Sequence, residues 1–577
     1  MQNNHNNAPH PTLSVAITGS GGSGVVTAGH MLLQAVAGAG YYGLMARSAG
    51  PQIRGGESAA MLRIAPRRVD CLDDSYQLLI ALDWLNANRF AEEIPLTGDS
   101  VIVCDPAAGE IPPEIATYGA RVMEMPLKEL AKGIDGGRIN MVALGILCDL
   151  LGLPQEAMLA VVEQTLARKG EQVVQASQTC VRVGYDSDKP LSLEAHLPAV
   201  DAPPPRWNIS GNEASGLGAV RGGVRFVAAY PITPASEVLE WLAPNLERLG
   251  GSLLQAEDEL ASINMIIGAS FGGVPALTAT SGPGLALMME GLGLAVASET
   301  PVVVANVMRG GPSTGIPTKS EQSDLNIALC GFHGDAPHLV LSALDIADCT
   351  FTTEWAVRLS ESLQATAIVL TDQSLGQARA LVDPPRRAPA GSGRRTAPPC
   401  DEPYLRYRLT DDGVSPMAIP GTDCDLYTAD GLEHNEKGTP SSAAQDHQRQ
   451  LDKRLRKLAG YDYGGDWARI SGSGEHCIVT WGSSAGAAEE AARRLTAAGT
   501  GVRVIAIRLI SPLPVQAMGE ALTGVRRVLV VEQNHGGQLF HYLHSLQLLP
   551  ADAGLLARPG PLPLRPAEIV ARMTEEM

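Results

Sequence analysis

Residues 13–24 read LSVAITGSGGSG, a short apolar run followed at once by four glycines. The run Leu13–Thr18 is typical of a buried strand, and the glycines match the pattern G-x-G-x-x-G at the start of a helix. Such glycines let backbone N–H groups approach a phosphate at a helix N-terminus. The stretch therefore predicts an α/β fold, and either a phosphate-binding loop or a purely structural strand–helix turn.

A nicotinamide dinucleotide site needs an acidic residue about twenty positions further on, to bind the ribose hydroxyls. Here the second strand-like run, Tyr41–Met45, is followed by Arg47 and Ser48. NAD is disfavoured, whereas a ligand with additional phosphate, such as NADP or coenzyme A, is still allowed. The next segment, AGPQIRGGES (49–58), is ambiguous between an anion-binding cradle and a structural turn.

The same alternation of short apolar runs and helical stretches continues along most of the chain, which predicts α/β domains throughout. We expect a first domain over 1–190, a Pro-rich linker over 191–206 and a second domain over 207–380. An extended connector over 381–473 should end in a basic helix over 448–458, and a last domain should span 474–577. The strands expected in these domains are 77–82, 101–104, 224–229, 276–280, 302–307, 367–370, 477–480, 504–507 and 528–531.

Composition narrows the function classes. The chain has 62 acidic and 44 basic residues, so a nucleic-acid partner is not expected. No apolar run reaches membrane-spanning length and the first ten residues do not look like a signal peptide, so we expect a cytoplasmic protein without a membrane partner. Its nine cysteines include no C-x-x-C pair, which offers no ligand set for an iron–sulfur cluster.

Three polar clusters follow strands of the second domain. Two prolines flank Thr233 in YPITPASE (230–237). Glu259 ends the acidic run 257–259 at the start of an apolar helix, and Arg309 is the second residue of MRGGPSTGIPTK (308–319). The hydroxyls, guanidinium and lysine of the last loop suit a carboxylate ligand. An acidic residue in a first helical turn is more often only a complement to the helix dipole. In the apolar helix, Leu260, Ile263, Ile266 and Ile267 are expected to share one buried face.

These segments, together with QAEDELASI (255–263), SGPGLALM (281–288) and SEQSDL (320–325), resemble the alpha subunit of 2-oxoacid:ferredoxin oxidoreductases. GSGGSGVVTAG (19–29) and AGPQIRGGES resemble that family's gamma domain, fused here in front. GLEHNEKG (431–438), VTWGSSAG (479–486) and VVEQNHGGQL (530–539) resemble its connector and transketolase-like C-terminal domain. The resemblance covers nearly the whole chain.

The resemblance implies a Rossmann-like gamma domain, a domain that binds the pyrimidine of thiamine diphosphate, and a C-terminal transketolase-like domain. Glu259 would bond the aminopyrimidine N1′, beside Pro231 and Ile232. Thr233 and Arg309 would hold the substrate carboxylate, with Thr314, Thr318 and Lys319 in the same pocket. The gamma domain would bind coenzyme A, and the expected contributors are Gly19, Gly21, Gly22, Gly24, Arg54, Gly55, Gly56 and Ser58.

The implied reaction is CoA-dependent oxidative decarboxylation of a 2-oxoacid, with electrons passed to ferredoxin, or its reductive reverse, which fixes CO₂ as in a reverse TCA cycle. The gamma-first fusion and the RGGPSTGIPTK loop favour 2-oxoglutarate over branched-chain 2-oxoacids or pyruvate. A different class, a non-catalytic or NADP-binding α/β protein, would need no partner chain.

One motif is missing. Gly98-Asp99, Gly334-Asp335 and Gly465-Asp466 do not continue as the G-D-G with a following Asn that holds Mg²⁺ and diphosphate in thiamine enzymes. No metal site is therefore expected on this chain. We expect a beta subunit to carry the Mg²⁺–diphosphate site and a [4Fe-4S] cluster, in an (αβ)₂ heterotetramer that reduces ferredoxin.

Overall fold

The computed structural model describes residues 12–50, 56–194, 196–198, 200, 206–399, 403–422 and 427–576. Within them the chain forms three sheets of eight, seven and five strands, each packed against helices. The predicted α/β class is therefore confirmed. No helix in the described part of the chain combines the length and apolarity needed to span a bilayer.

The first region carries six strands and six helices. Its strands are β1 (Leu13–Gly19), β2 (Tyr42–Ala49), β3 (Ser58–Ala65), β4 (Leu78–Ala81), β5 (Val101–Cys104) and β6 (Arg121–Glu124). Its helices are α1 (Val25–Gly38), α2 (Pro113–Ala116), α3 (Leu127–Lys132), α4 (Ile139–Leu150), α5 (Gln155–Leu166) and α6 (Glu171–Asp186).

The second region alternates strands and helices more regularly. Its strands are β7 (Trp207–Ser210), β8 (Phe226–Ala229), β9 (Ser252–Gln255), β10 (Ala276–Thr280), β11 (Val303–Met308), β12 (Leu339–Ser342), β13 (Ala367–Asp372) and β14 (Arg379–Val382). Its helices are α7 (Gly211–Gly222), α8 (Ser236–Glu247), α9 (Glu259–Phe271), α10 (Gly282–Ala297), α11 (Leu325–Cys330), α12 (Ile346–Leu363) and α13 (Gln373–Gln377).

The last region begins with α14 (Ala444–Ala459), which extends beyond the predicted helix at both ends. Its strands are β15 (Ala468–Gly472), β16 (His476–Trp481), β17 (Val502–Ile507), β18 (Leu509–Ser511), β19 (Arg527–Glu532) and β20 (Gly554–Ala557). Its other helices are α15 (Ser484–Ala497), α16 (Val515–Ala521), α17 (Gln538–Ser545) and α18 (Pro566–Glu576).

The sheets do not follow the chain order of the regions. The first sheet runs β6-β5-β4-β1-β3-β2-β14-β7, so two strands that flank the second region complete the sheet of the first. The second runs β18-β12-β13-β11-β10-β8-β9 and the third β15-β17-β16-β19-β20. β1 pairs parallel to β4 but antiparallel to β3. Backbone pairing thus joins the first region to the second.

One face of α9 was predicted wrongly. Ile263, Ile266 and Ile267 are buried, but Leu260 is 50% exposed and lies on the open side of the helix. The side chain of Glu259, one position earlier, is buried in its place. The buried position at the start of α9 is therefore occupied by the carboxylate of Glu259 and not by the apolar side chain of Leu260.

The first region also packs on the last. Glu490 of α15 accepts hydrogen bonds from Arg63 and Arg67, and Arg494 pairs with Asp73 and Asp74. These contacts are buried or half-buried, and they hold the first region against the last, whereas strand pairing joins it to the second.

Candidate active site

Thr233 and Arg309 come together where two parallel strands end. Thr233 lies four residues beyond the end of β8, and Arg309 directly follows β11. One guanidinium nitrogen of Arg309, Nη1, donates a hydrogen bond to the backbone oxygen of Thr233 at 2.6 Å. Ligands of open α/β sheets bind beyond the carboxyl ends of the strands, which is where these two residues lie.

Glu259 lies at the head of α9 with its side chain turned inward. Asp258, and not Glu259, caps the helix, because its carboxylate accepts from the Ala261 N–H at 2.7 Å. Glu259 is only 6% exposed, and the described residues offer its carboxylate no hydrogen bond or ion pair. A buried carboxylate without a partner is costly, so it points to a ligand that supplies one.

The space beside Glu259 depends on a glycine. A Cβ at Gly284 would lie 2.1 Å from the Thr280 hydroxyl oxygen and 2.7 Å from Oε1 of Glu259. Gly284 belongs to the first turn of α10, in the SGPG segment that follows β10. Only glycine therefore allows this helix to approach the carboxylate so closely.

Buried polar atoms without partners lie within or directly after β10 and β11. They are Thr278 Oγ1, Ser281 Oγ, Asn306 Oδ1 and Arg309 Nε. Native proteins leave few such atoms unpaired, and unpaired ones are expected where a ligand or water binds. All four lie in β10, in β11 or directly after these strands.

Asp324 was not singled out from the sequence, although it belongs to the quoted SEQSDL segment. Its Oδ2 accepts a hydrogen bond from Nδ2 of Asn306 at 2.9 Å, and its carboxylate packs against Gly282 at the start of α10. Burial raises the pKa of Asp324 to about 6, although Asn306 and Arg309 oppose the shift. Asp324 and Glu259 thus both lie against the first turn of α10.

The loop after β11 separates the three residues predicted to line the substrate pocket. Thr318 lines the cleft next to Thr233, whereas Thr314 is exposed. The Lys319 ammonium donates to the Ser48 hydroxyl at 2.7 Å and forms an ion pair with Glu93, both in the first region. Pro231 lines the cleft, and Ile232 packs against the core of the second region.

A cleft of about 530 Å³ runs from Thr233 towards the first region. Ser48 and Ser58 form its far side, and Glu237 and Thr318 its near side. The other lining residues are Val26, Arg47, Ala49, Pro231, Pro234, Ser236, Glu240, Gln373 and Gln377.

A second cavity, of about 290 Å³, adjoins the cleft at the shared residues Val26 and Ser58. It is lined by Ser20, Gly22, Gly24, Val25, Thr27, Arg138, Asn140, Met141, Leu166, Lys169, Val173 and Ser177, and no acidic side chain is among its described lining residues. The helices α1 and α4 begin here without a side-chain cap or an acidic first turn. Free N–H groups at two helix N-termini favour anions.

The side chains of Arg138 and Lys169 are exposed at this cavity and take part in no ion pair within the described ranges. Neither was singled out from the sequence, because only the packing of α1 on α4 and α5 brings the start of α4 and the turn after α5 to the glycine loop. Of the predicted loop glycines, Gly22 and Gly24 line the cavity at φ +90° and +89°, whereas Gly19, Gly21 and Gly56 do not. Arg54 and Gly55 lie outside the described residues.

Metal ligands do not gather in this chain as far as it is described. Across 12–50, 56–194, 196–198, 200, 206–399, 403–422 and 427–576, no group of three or more His, Cys, Asp or Glu side chains could hold a metal ion. The seven described cysteines are all unpaired thiols, and six of them are buried.

Three family models match successive parts of the chain. The model of pyruvate ferredoxin/flavodoxin oxidoreductase matches residues 14–187, and that of its thiamine diphosphate-binding domain matches residues 217–453. The transketolase C-terminal domain matches residues 465–538. The second of these spans Thr233, Glu259 and Arg309.

Similar proteins cover the chain almost end to end. The 2-oxoacid:ferredoxin oxidoreductase subunit alpha of Sulfolobus sp is 32% identical, over 91% of this chain and 91% of its own length. The 2-oxoglutarate synthase subunit KorA of Methanothermobacter thermautotrophicus is 34% identical, over 63% of this chain and 96% of its own.

Among solved structures, a 2-oxoglutarate:ferredoxin oxidoreductase from Magnetococcus marinus matches with a TM-score of 0.90 and 34% identity. It covers 98% of this chain and 99% of its own, and was solved with 2-oxoglutarate, coenzyme A and succinyl-CoA bound. The match extends through all three sheets. The chain belongs to the family of 2-oxoacid:ferredoxin oxidoreductase alpha subunits, and it is an oxidoreductase subunit with its gamma-type domain at the N-terminus.

Proposed function

We propose that the chain, with a beta subunit, forms a 2-oxoglutarate:ferredoxin oxidoreductase that converts 2-oxoglutarate and coenzyme A to succinyl-CoA and CO₂. Electrons pass to ferredoxin, and the same site carries out the reductive, CO₂-fixing direction. The observation that carries this proposal is the buried carboxylate of Glu259, which lies unpaired at the edge of an open helix face. The relatives named for 2-oxoglutarate support the substrate.

Thiamine diphosphate fits the residues around Glu259. When bound, it supplies a carbon nucleophile for the keto group and takes up the electrons left by decarboxylation. The Glu259 carboxylate would hold a proton at N1′ of the aminopyrimidine, in the space that Gly284 keeps open. Glu259 is only 6% exposed, and the low dielectric of such a site strengthens a shared hydrogen bond.

The carboxylate of the 2-oxoacid would bind between Arg309 and Thr233. The Arg309 side chain is buried, and its Nε has no partner in the described structure. A guanidinium so placed can donate two hydrogen bonds to a carboxylate. Thr318 lines the same cleft and would bound the substrate on the side of the first region.

Coenzyme A would lie along the two adjoining cavities. Its phosphates fit the glycine loop, the N-termini of α1 and α4, and the cations of Arg138 and Lys169. Its thiol arm would pass Ser58 and Val26, which belong to both cavities, and reach Thr233 through the cleft. The thiol would then meet the acyl group where decarboxylation has occurred.

A beta subunit would bind the open face of α9 and α10. Leu260, Met265 and Leu287 are 40–51% exposed there, and a Cβ at Gly268 or Gly293 would meet no atom within 4 Å. Exposed apolar side chains beside small residues allow close contact with another chain. The partner would bring the diphosphate–Mg²⁺ site and a [4Fe-4S] cluster, in a cytoplasmic (αβ)₂ assembly.

Co-expression of the chain with its beta subunit tests this function. The purified complex would be assayed for ferredoxin reduction with 2-oxoglutarate, pyruvate and 3-methyl-2-oxobutanoate, with and without coenzyme A. We expect kcat/KM to be highest for 2-oxoglutarate and turnover to require coenzyme A. A higher kcat/KM for pyruvate, or turnover with NADP and without a partner, would contradict the proposal.

A further inference from the structure

Arg47 is the one cation among the described residues that line the cleft next to Thr233. It belongs to β2 of the first region and reaches across to the second region, where one guanidinium nitrogen, Nη2, pairs with Glu237. The two side chains are 31% and 29% exposed. The guanidinium therefore faces the cleft and is not sealed inside an interface.

Lys319 does not serve the cleft in the same way. Its ammonium is held by the Glu93 carboxylate and the Ser48 hydroxyl, and its side chain is 16% exposed. Lys319 lines a smaller cavity of about 100 Å³ that adjoins the cleft at Arg47, Ser48 and Thr318, but it is not among the residues that line the cleft itself. The charge of Lys319 is therefore already neutralised by Glu93, and its side chain does not line the cleft next to Thr233.

Resting on the proposed function, we propose that Arg47 receives the distal carboxylate of a dicarboxylic 2-oxoacid and so determines substrate specificity. A guanidinium has five N–H donors in a planar fork, and the described structure uses one nitrogen of Arg47, on Glu237. The remaining donors can bind a second carboxylate without breaking that pair.

In this arrangement the two carboxylates of the substrate are held by different regions of the chain. The first carboxylate is held at the ends of β8 and β11, and the second is held by a residue of the gamma-type domain. Fusion of that domain to the alpha chain, reinforced by the pairing of β2 with β14, keeps Arg47 at a fixed position relative to Thr233. A 2-oxoacid without a distal charge would leave the guanidinium with Glu237 alone.

The test compares 2-oxoglutarate with 2-oxopentanoate, which has the same chain but no distal carboxylate, in the assembled αβ complex. Arg47→Met should lower kcat/KM for 2-oxoglutarate by about 10- to 100-fold, the usual cost of losing a charge-assisted hydrogen bond, and change that for 2-oxopentanoate by less than about threefold. Arg47→Gln, which still donates to Glu237, should show the same change in ratio. Arg379→Met, which removes the neighbouring ion pair with Glu213, is the matched control and should leave the ratio unchanged.

Equal losses for both substrates in Arg47→Met and Arg47→Gln would overturn the assignment, because they would show that Arg47 only joins the domains. The assignment would also be overturned if the ratio of kcat/KM for 2-oxoglutarate to kcat/KM for 2-oxopentanoate stayed unchanged in Arg47→Met. It would be overturned as well if that ratio fell in Lys319→Met or Arg54→Met instead. If the wild-type complex does not prefer the dicarboxylate, the proposed function and the assignment fall together. A wild-type preference that persists in Arg47→Met overturns the assignment alone.

Discussion

The Lys453 ammonium lies 2.5 Å from the Glu299 carboxylate, and both side chains are completely buried. Lys457 binds the other carboxylate oxygen of Glu299 at 3.0 Å, and Arg406 donates a hydrogen bond to the backbone oxygen of Glu299 at 2.8 Å. The three cations hold the pKa of Glu299 far below its usual range against the effect of burial. One acid between α10 and β11 thus anchors both the connector and α14.

Removing that acid should destabilise the protein strongly. Glu299→Gln leaves two buried lysines without a counter-charge, and breaking a buried pair in this way costs about 3–5 kcal/mol. We expect a large fall in the urea midpoint at neutral pH, followed by tryptophan fluorescence. The matched control is Glu475→Gln, whose pair with Arg526 is exposed and whose loss should cost less than about 0.5 kcal/mol. Equal midpoints for the two variants would contradict the anchoring role.

The cations at the glycine loop should control the affinity for coenzyme A. Arg138→Ala and Lys169→Ala each remove a charge from a cavity with no acidic lining residue in its described part. Each should raise the KM for coenzyme A about 10- to 100-fold, since hydrogen bonds to charged groups contribute about 1.5–3 kcal/mol. Single-turnover CO₂ release without coenzyme A should stay near normal. Arg168→Ala, exposed beside Lys169 but outside the cavity, is the control, and an equal effect there would argue for general charge attraction.

Asp324 should make substrate binding depend on pH. Because burial raises its folded pKa to about 6, the carboxyl is neutral below about pH 6 and charged above it. The groups that face it are Arg309, Glu321 and Asn306. Once charged, Asp324 competes with the substrate carboxylate for Arg309, so the KM for the 2-oxoacid should rise as the pH rises through about 6. Asp324→Asn should flatten this rise between pH 5 and 7.5, and a rise that persists in the variant would assign it to another group.

Sequence patterns predicted β8, β10, β11 and β13 of the second region because each is a short, largely buried apolar run. They did not predict the other four strands of that region, β7, β9, β12 and β14. They also predicted that Thr233 and Arg309 follow strands, and parallel strands end at one edge of a sheet, which brings the two into contact. Local patterns carry no information about which distant segments pair. The sequence therefore did not predict that β7 and β14 join the first sheet, or that Lys319 forms an ion pair with Glu93.

The basic helix α14 shows the same limit. The sequence predicted a basic helix without saying where its charges lie, and in the structure Lys453, Arg454 and Lys457 are buried against Glu299 and Glu433. The compensating acids lie before the helix in the chain, Glu299 more than 150 residues earlier. A charge pattern alone does not distinguish a buried, paired cation from an exposed one.

The isolated chain should bind no iron and show no turnover. The sequence lacks the G-D-G motif with its following Asn, and its cysteines are dispersed. Iron and acid-labile sulfide would be measured on the chain purified anaerobically, alone and with its beta subunit, together with ferredoxin reduction. A stoichiometric cluster or 2-oxoacid-dependent reduction in the single chain would show that the site does not need a partner.

Substitution of Glu259 distinguishes most clearly between a catalytic and a purely structural role of this residue. If it only complements the dipole of α9, Glu259→Gln should cost about 0.3–1 kcal/mol of stability and nothing else. If it shares a proton with the aminopyrimidine, the amide cannot replace it, and proton exchange at C2 of bound thiamine diphosphate should slow by about 10²–10³-fold, within the usual range for general acid–base catalysis. The rate would be followed by rapid-quench NMR in D₂O on the assembled complex. Glu257→Gln is the matched control, because that residue is exposed two positions earlier and should exchange at the wild-type rate. A Glu259→Gln rate within about threefold of wild type would remove Glu259 from the mechanism, since its nearly isosteric amide leaves the folding of α9 unchanged.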